Sequence, residues 1–220
     1  MQMDDPGNIS DRVAQRLRTM ITDGGLSEGE RVNEVRLAKQ LGVSRTPLRE
    51  ALSGLTAEGA LIAKPRLGFF VRPLTLDEFE QLYDIRPILD PEALRLAGIP
   101  SAKSIARLER LNARLQKTRG EEAIALDDEW HAELVANCPN KILLGLIQNI
   151  CMRTRRYELA LMREEVSVSN ASDEHARIIA ALKASDLPAA CAGLKRNMQS
   201  GREPIVKWLN RRNKERGYNG

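Results

Sequence analysis

The stretch from Asn33 to Gly59 leaves the chain few choices. Asn33, whose short polar side chain suits a helix start, can cap a short helix expected over Glu34 to Gln40, burying Val35, Leu37 and Leu41. Gly42 ends it, because a left-handed terminal residue costs least as glycine. Ser44 is placed to cap a second helix, and Pro47 falls in its first turn, where a missing N–H costs little. Leu48, Ala51, Leu52 and Leu55 give that helix one apolar face to about Glu58, and Gly59 stops it. Gly42 lets the two helices meet at a steep angle over a few residues. Upstream, Ile9, Val13, Leu17, Met20 and Ile21 mark another helix, with Ser10 placed to cap it and Gly24-Gly25 to end it.

Downstream, Ala60-Leu61-Ile62-Ala63 and Phe69-Phe70-Val71-Arg72 flank a Pro/Gly turn, Lys64 to Gly68, which reads as a β-hairpin. Helix, short helix, glycine turn, helix and hairpin are the order of a winged helix-turn-helix. In that geometry the third helix offers its N-terminus and one face to a DNA major groove. Charge agrees. The chain has a net charge of only +4, but residues 31–72 hold eight basic and three acidic side chains, a net of +5. Residues 202–220 hold six against two, so the remainder is net acidic. A basic segment on an acidic chain suggests a polyanion-binding module. Arg45 and Arg49 are four apart and share a helix face. Ser44 and Thr46 offer hydroxyls and N–H groups to phosphates at that helix start. Lys64 and Arg66 sit on the wing turn, and Gly68 lets its backbone approach DNA. The alternative, a pair of surface arginines compensated by Glu50, loses because helix start, cap, charge and wing all agree.

A length of 220 residues suits one large domain or two small ones; Pro73 opens a linker and suggests a division into 1–75 and 76–220. Hydrophobic residues at 42% exclude a disordered chain, and aromatics at 4% favour helices over a β-sandwich. No apolar run approaches the roughly 18 residues of a membrane span. Met1 to Gly7 carry Asp4 and Asp5 and no apolar core, so no secretory signal is expected. Cys138, Cys151 and Cys191 have no metal-ligand spacing and read as reduced thiols of a cytoplasmic protein.

From Leu76 on the pattern is helical almost throughout. The helices expected are Leu76 to Ala97, Ser101 to Thr118, Glu121 to Ala136, Lys141 to Arg163, Asp173 to Ala184, and a last one from Pro188 to about Asn213. Val166 to Ser172 reads as a loop, and Pro87 and Pro91 predict a break or bend in the first helix. The fold class is therefore mainly α: a winged helix-turn-helix followed by an antiparallel bundle of about six helices. Asp127 and His131, four apart, share a helix face and could chelate a cation; His175 opens a later helix. Taken alone, two histidines 44 residues apart favour hydrogen-bonded core positions.

Leu41-Gly42-Val43-Ser44-Arg45-Thr46-Pro47-Leu48-Arg49-Glu50-Ala51-Leu52, with Glu58-Gly59 and Gly68-Phe69-Phe70-Val71, resembles the DNA-binding domain of GntR-family bacterial transcription regulators over residues 8–73. The resemblance implies dimeric binding to a palindromic operator, with Arg45 and Arg49 reading bases and Arg36, Ser44, Thr46, Lys64, Arg66 and Gly68 in support. Some members carry arginine where Val35 stands, so Arg36 is one step displaced.

Asp127-Asp128-Glu129-Trp130-His131, Asn140, Glu174-His175, Ile178 and Asp186 resemble the helical effector domain (FCD) of the FadR subfamily over residues 76–212. This implies a divalent cation, zinc or nickel, on Asp127, His131 and His175; Asn197 stands where the family has a further histidine. It also implies a small carboxylate effector, with Arg86 at the position of the arginine that takes it, and a ligand-responsive regulator, typically a repressor; Arg153 and Tyr157 on the long helix are a second polar group of candidate contacts, and Asn197 is a further one. Two rivals have weaker support. A metal-dependent enzyme would use Asp127, His131 and His175, but no nucleophile–base pair or phosphate loop accompanies them. A nonspecific architectural DNA binder would show base-independent affinity.

Overall fold

A computed structural model describes residues 6–164 and 171–215. The chain divides into two compact units, residues 1–74 and 75–220. The first holds α1 (Pro6–Thr22), α2 (Glu34–Leu41), α3 (Arg45–Ala57), β1 (Leu61–Lys64) and β2 (Gly68–Val71). Helix α1 begins at Pro6, so Ser10 lies inside it and is not its cap; proline is readily accepted at a first helical position. Asn33 caps α2, its Oδ1 accepting the Arg36 N–H at 3.0 Å. Gly42 closes α2 at φ 68°, donating to the carbonyls of Ala38 and Lys39. Ser44 occupies the cap position of α3 in extended backbone, but its hydroxyl makes no capping bond.

Strands β1 and β2 pair antiparallel from Leu61↔Val71 to Lys64↔Gly68. The outer edge of β2 is covered by residues 29–32, through Val32 N–H to Phe69 O and Val71 N–H to Glu30 O. Sequence reading missed this cover, which protects an edge that would otherwise pair with other chains. Leu17, Leu48, Leu52, Leu55 and Leu61 form the fully buried centre of the unit; on α2 Leu37 joins the core, but Val35, two residues before it and so on another face, is exposed and not buried as expected.

The second unit holds α4 (Leu76–Ala97), α5 (Ala102–Leu115), α6 (Glu121–Leu134), α7 (Lys141–Glu164), α8 (Ala171–Lys183), α9 (Leu187–Ser200) and α10 (Arg202–Glu215). Helix α4 packs on α7 and α9, α8 on α5 and α9, and α6 on α5. The break expected at Pro87 and Pro91 is absent: α4 runs through both. They are four residues apart, so both missing donors fall on one side of the helix. The Cys191 thiol donates to the Pro91 carbonyl at 3.6 Å.

The single last helix expected from the pattern is divided at Gly201. Pro204 has no N–H to give the Ser200 carbonyl, so the ladder stops there. The Tyr83 hydroxyl also lies 2.8 Å from where a Cβ on Gly201 would stand. Helix α8 already begins at Ala171, so the expected loop ends earlier; its residues 166–170 lie outside the described ones. Trp130, Leu94, Leu108, Leu134, Ile178 and Leu194 fill the core.

Candidate functional site

Each unit carries its own candidate site. In the first, α3 turns Leu48, Ala51, Leu52 and Leu55 inward. Ser44, Arg45, Thr46 and Arg49 are exposed on its first two turns, and Arg36 is exposed on α2. A helix start without a side-chain cap keeps N–H donors for an anion, and the helix dipole favours negative charge there. Arg49 is not free: its Nε donates to Glu34 Oε2 at 2.7 Å. That carboxylate comes from α2, and not from the adjacent Glu50 considered as a partner above.

On the wing, Lys64 ends β1 with its ammonium 4.6 Å from the Phe70 ring centre, a cation–π contact. Arg66 is a non-glycine residue at φ 63°, at the exposed wing tip. Gly68 has φ 93° and open space where a Cβ would stand, so backbone conformation is what requires glycine here.

The second site is built on two buried histidines and a half-buried aspartate. Helix α6 brings Asp127 and His131 to one face, and α8 adds His175, so that one donor atom from each lies within 4.8 Å of the others. Asp127 Oδ2 is 3.6 Å from His131 Nε2, and Asp127 Oδ1 is 3.5 Å from His175 Nε2. The Trp130 ring stacks on His175 at 3.6 Å with planes 3° apart, and His131 meets His175 edge-on. These contacts fix the imidazole planes.

Burial holds His175 down to about 3, and burial with the nearby His175 holds His131 well below the ordinary value. Both are therefore neutral lone-pair donors near pH 7. Burial raises Asp127 to about 7, and the neighbouring Glu158 and Asp128 push it further in that direction. Both His175 nitrogens and Asp127 Oδ1 are buried without a hydrogen-bond partner. Neutral imidazoles, orphaned acceptors and an acid excess together fit a divalent cation.

Arg86 lies in the same domain, 7% exposed. Its guanidinium meets Glu158 at 3.9 Å and the Cys151 sulfur at 4.0 Å, and its Nε has no hydrogen-bond partner. Burial raises Asp90 to about 6, and the nearby Arg86 partly offsets this. Burial likewise raises the Cys151 thiol to about 12, which leaves it inert as a nucleophile.

Arg153 and Tyr157 are engaged at the start of α4. Arg153 pairs with Glu78, and the Tyr157 hydroxyl donates to Glu78 Oε2 at 3.0 Å while accepting from the Thr75 N–H. Asn197 is buried on α9, its amide donating to Glu174 at 2.7 Å. Sequence reading missed Glu34, Glu158 and Cys151 as partners, because each lies on another helix from the arginine it meets; only a three-dimensional crossing reveals them.

Comparison with known proteins agrees with this architecture. The family described as bacterial regulatory proteins, gntR family, matches residues 9–71, and the FCD domain matches residues 81–200. The Nta operon transcriptional regulator of Aminobacter aminovorans is 42% identical over 58% of this chain, and the match spans 62% of that protein. The uncharacterised HTH-type transcriptional regulator YdhC of Bacillus subtilis is 29% identical over 92% of this chain and 98% of its own length. The structure of E. coli McbR/YncC superposes with a TM-score of 0.74 at 24% identity, covering 92% of this chain and 99% of that one, and shows the same fold. Family and relatives are transcription regulators and not enzymes. With the FCD domain covering more than half of its length behind a matching DNA-binding head, the chain belongs to the GntR family of bacterial transcriptional regulators, in the FCD-carrying branch that the FadR subfamily represents.

Proposed function

We propose that the protein represses transcription by binding a palindromic operator as a dimer, and that a small carboxylate held beside a divalent cation in its helical domain modulates that binding. One observation carries the DNA-reading part. Helix α3 anchors itself through Leu48, Ala51, Leu52 and Leu55 while Arg45, Thr46 and Arg49 face solvent at its start. A guanidinium there can meet a guanine edge in two-pronged fashion, and the N–H groups and hydroxyls of Ser44 and Thr46 can hold phosphates. Lys64 and Arg66 add wing contacts. A relative, the gluconate operon transcriptional repressor of Bacillus licheniformis, 26% identical over 84% of this chain, is named for repression. A protein that reads bacterial operators works in the cytoplasm, and no described helix is long and apolar enough to cross a membrane.

Dimerisation has support in the second unit. Ile85 and Ile88 on α4 and Ile142 and Leu146 on α7 are exposed, although α4 and α7 pack on each other. A second copy would remove that apolar surface from water.

In the buried site, Asp127, His131 and His175 would hold the cation. When bound, it supplies a positive centre for a carboxylate oxygen. Arg86 retains donors that Glu158 and Cys151 engage only loosely, so its fork can take a carboxylate bidentately. Effector binding would then change operator affinity by a coupling of about 1–3 kcal/mol. The test of the DNA assignment is Arg45→Ala. Specific operator binding in a mobility-shift assay should fall at least about tenfold, the loss of one bidentate base contact, with helix content unchanged. Undiminished binding would reject the assignment.

A further inference from the structure

Helix α4 opens with Thr75-Leu76-Asp77-Glu78, the spacing of a capping box. In such a box the cap side chain accepts the N–H three residues on, and the acidic side chain there reaches back to the cap residue's own N–H. The first half forms: Thr75 Oγ1 accepts the Glu78 N–H at 3.2 Å. The second half does not close directly. The Tyr157 hydroxyl, from α7, stands between the two groups, accepting the Thr75 N–H at 3.3 Å and donating to Glu78 Oε2 at 3.0 Å. Arg153, one turn earlier on α7, engages the other carboxylate oxygen through Nε at 3.1 Å. Tyr157 is fully buried, and its ring packs on Phe79 with 5.1 Å between centres, so packing sets where the hydroxyl stands. Burial and the adjacent Glu78 push the phenol above its ordinary range, so it remains a donor. Thr75 is the first residue of the second unit, and Leu74 is the last of the first. The Leu74 N–H donates to Glu28 Oε2 at 3.2 Å, within the first unit. Two consecutive amides at the joint are thus each held by their own unit.

We propose that Tyr157 is a positioning residue for operator binding: by completing the α4 capping box from α7, it fixes the backbone at the joint to the DNA-binding unit, so that the two heads of a dimer engage both half-sites together. This rests on the dimeric reading above and goes beyond it, since operator affinity then depends on a hydroxyl that touches neither DNA nor effector. Fixing a residue's backbone costs conformational entropy. Where folding has already met that cost, DNA binding need not meet it again. Glu78 and Arg153 orient the hydroxyl, which makes Arg153 and Tyr157 residues of the joint in place of effector contacts. Glu158, next in the chain, meets Arg86 at 3.9 Å, so one turn of α7 serves both the buried arginine and the joint.

The test uses the full-length protein and Tyr157→Phe, which keeps the ring and removes the hydroxyl. Hydrogen exchange read by mass spectrometry should show the Thr75 amide exchanging about fivefold faster, the loss of one hydrogen bond. The duplexes are the palindrome that the wild-type protein selects from a random pool, and a single half of it. Preference for the palindrome over its half should fall about fivefold, because a loosened joint lowers the effective concentration of the second head. Sedimentation should still show a dimer. General destabilisation would lower both affinities alike and leave their ratio. If Tyr157→Phe loses native helix content by circular dichroism, Glu78→Gln gives the same comparison by removing the charged acceptor that orients the hydroxyl. An unchanged ratio, unchanged Thr75 exchange or a shift to monomer overturns the assignment of Tyr157 and leaves the dimeric reading standing. A wild-type protein that binds the palindrome no better than its half overturns both.

Discussion

Arg49 and Glu34 show how much one side chain's meaning depends on its partner. A lone arginine on a recognition helix offers all its donors to DNA; here Nε is held at 2.7 Å by a carboxylate from the preceding helix. The Arg49 side chain is 65% exposed, so the pair adds little stability. Its effect is on readout: Glu34 orients the guanidinium and repels phosphates. Glu34→Gln should therefore raise affinity for unrelated duplex several-fold, and steepen the dependence of log K on log salt by about 0.9 as Arg49 becomes free to neutralise a phosphate. Operator preference over scrambled DNA should shrink. Anisotropy titrations on both duplexes across a salt series would show it, and an unchanged preference ratio would count against the pairing.

At the scale of elements, two helix features carry distinct energies. Gly42 sits at φ 68° with nothing within 4 Å of a would-be Cβ, so Gly42→Ala costs only backbone strain, roughly 1–2 kcal/mol, and no clash. Chemical denaturation should show that loss without a change in slope. In α4, Asp90 titrates near 6 when folded, against 3.8 as its ordinary value. The folded chain thus keeps this proton to higher pH than the unfolded chain. The contribution of Asp90 to stability is most favourable below pH 4 and declines as pH rises through 6, by on the order of 3 kcal/mol. His175, held down to about 3, works in the opposite direction, losing stability as pH falls below its unfolded value of 6.5. The two are separated by difference: melting of Asp90→Asn should gain on wild type steadily from pH 4 to 7, and a constant gap would refute the assigned shift.

At the scale of the molecule, the DNA-reading helix and the exposed apolar cluster of α4 and α7 lie in different units. The basic stretch of residues 31–72 lies in the first, whereas Ile142, 80% exposed, and Leu146 lie in the second. DNA affinity and self-association should therefore be separable. Ile142→Glu with Leu146→Glu should shift sedimentation towards monomer, because two charges cannot be buried unpaired. It should reduce operator binding by removing the second half-site, while each unit keeps its own core. A dimer of unchanged stability would place the interface elsewhere.

The first unit and the helical class of the second were legible in the order of residues because their signals are local. Asn33, Gly42 and Pro47 act on the backbone within one turn, and apolar spacing marks a helix face wherever that helix packs. Asp127 and His131 could be paired for the same reason, four residues being one turn. What lay beyond local rules needed tertiary structure. Asparagine at 197 reads from sequence as a missing ligand; only the packing of α9 on α8, with Glu174 taking one amide atom, shows the other to be a buried acceptor with no hydrogen-bond partner. Glu34 on Arg49 and Glu158 on Arg86 also join distant stretches of chain. Pro87 and Pro91 predicted a break that burial in the bundle overrides, since a helix packed on two neighbours can absorb two missing hydrogen bonds that an isolated one could not.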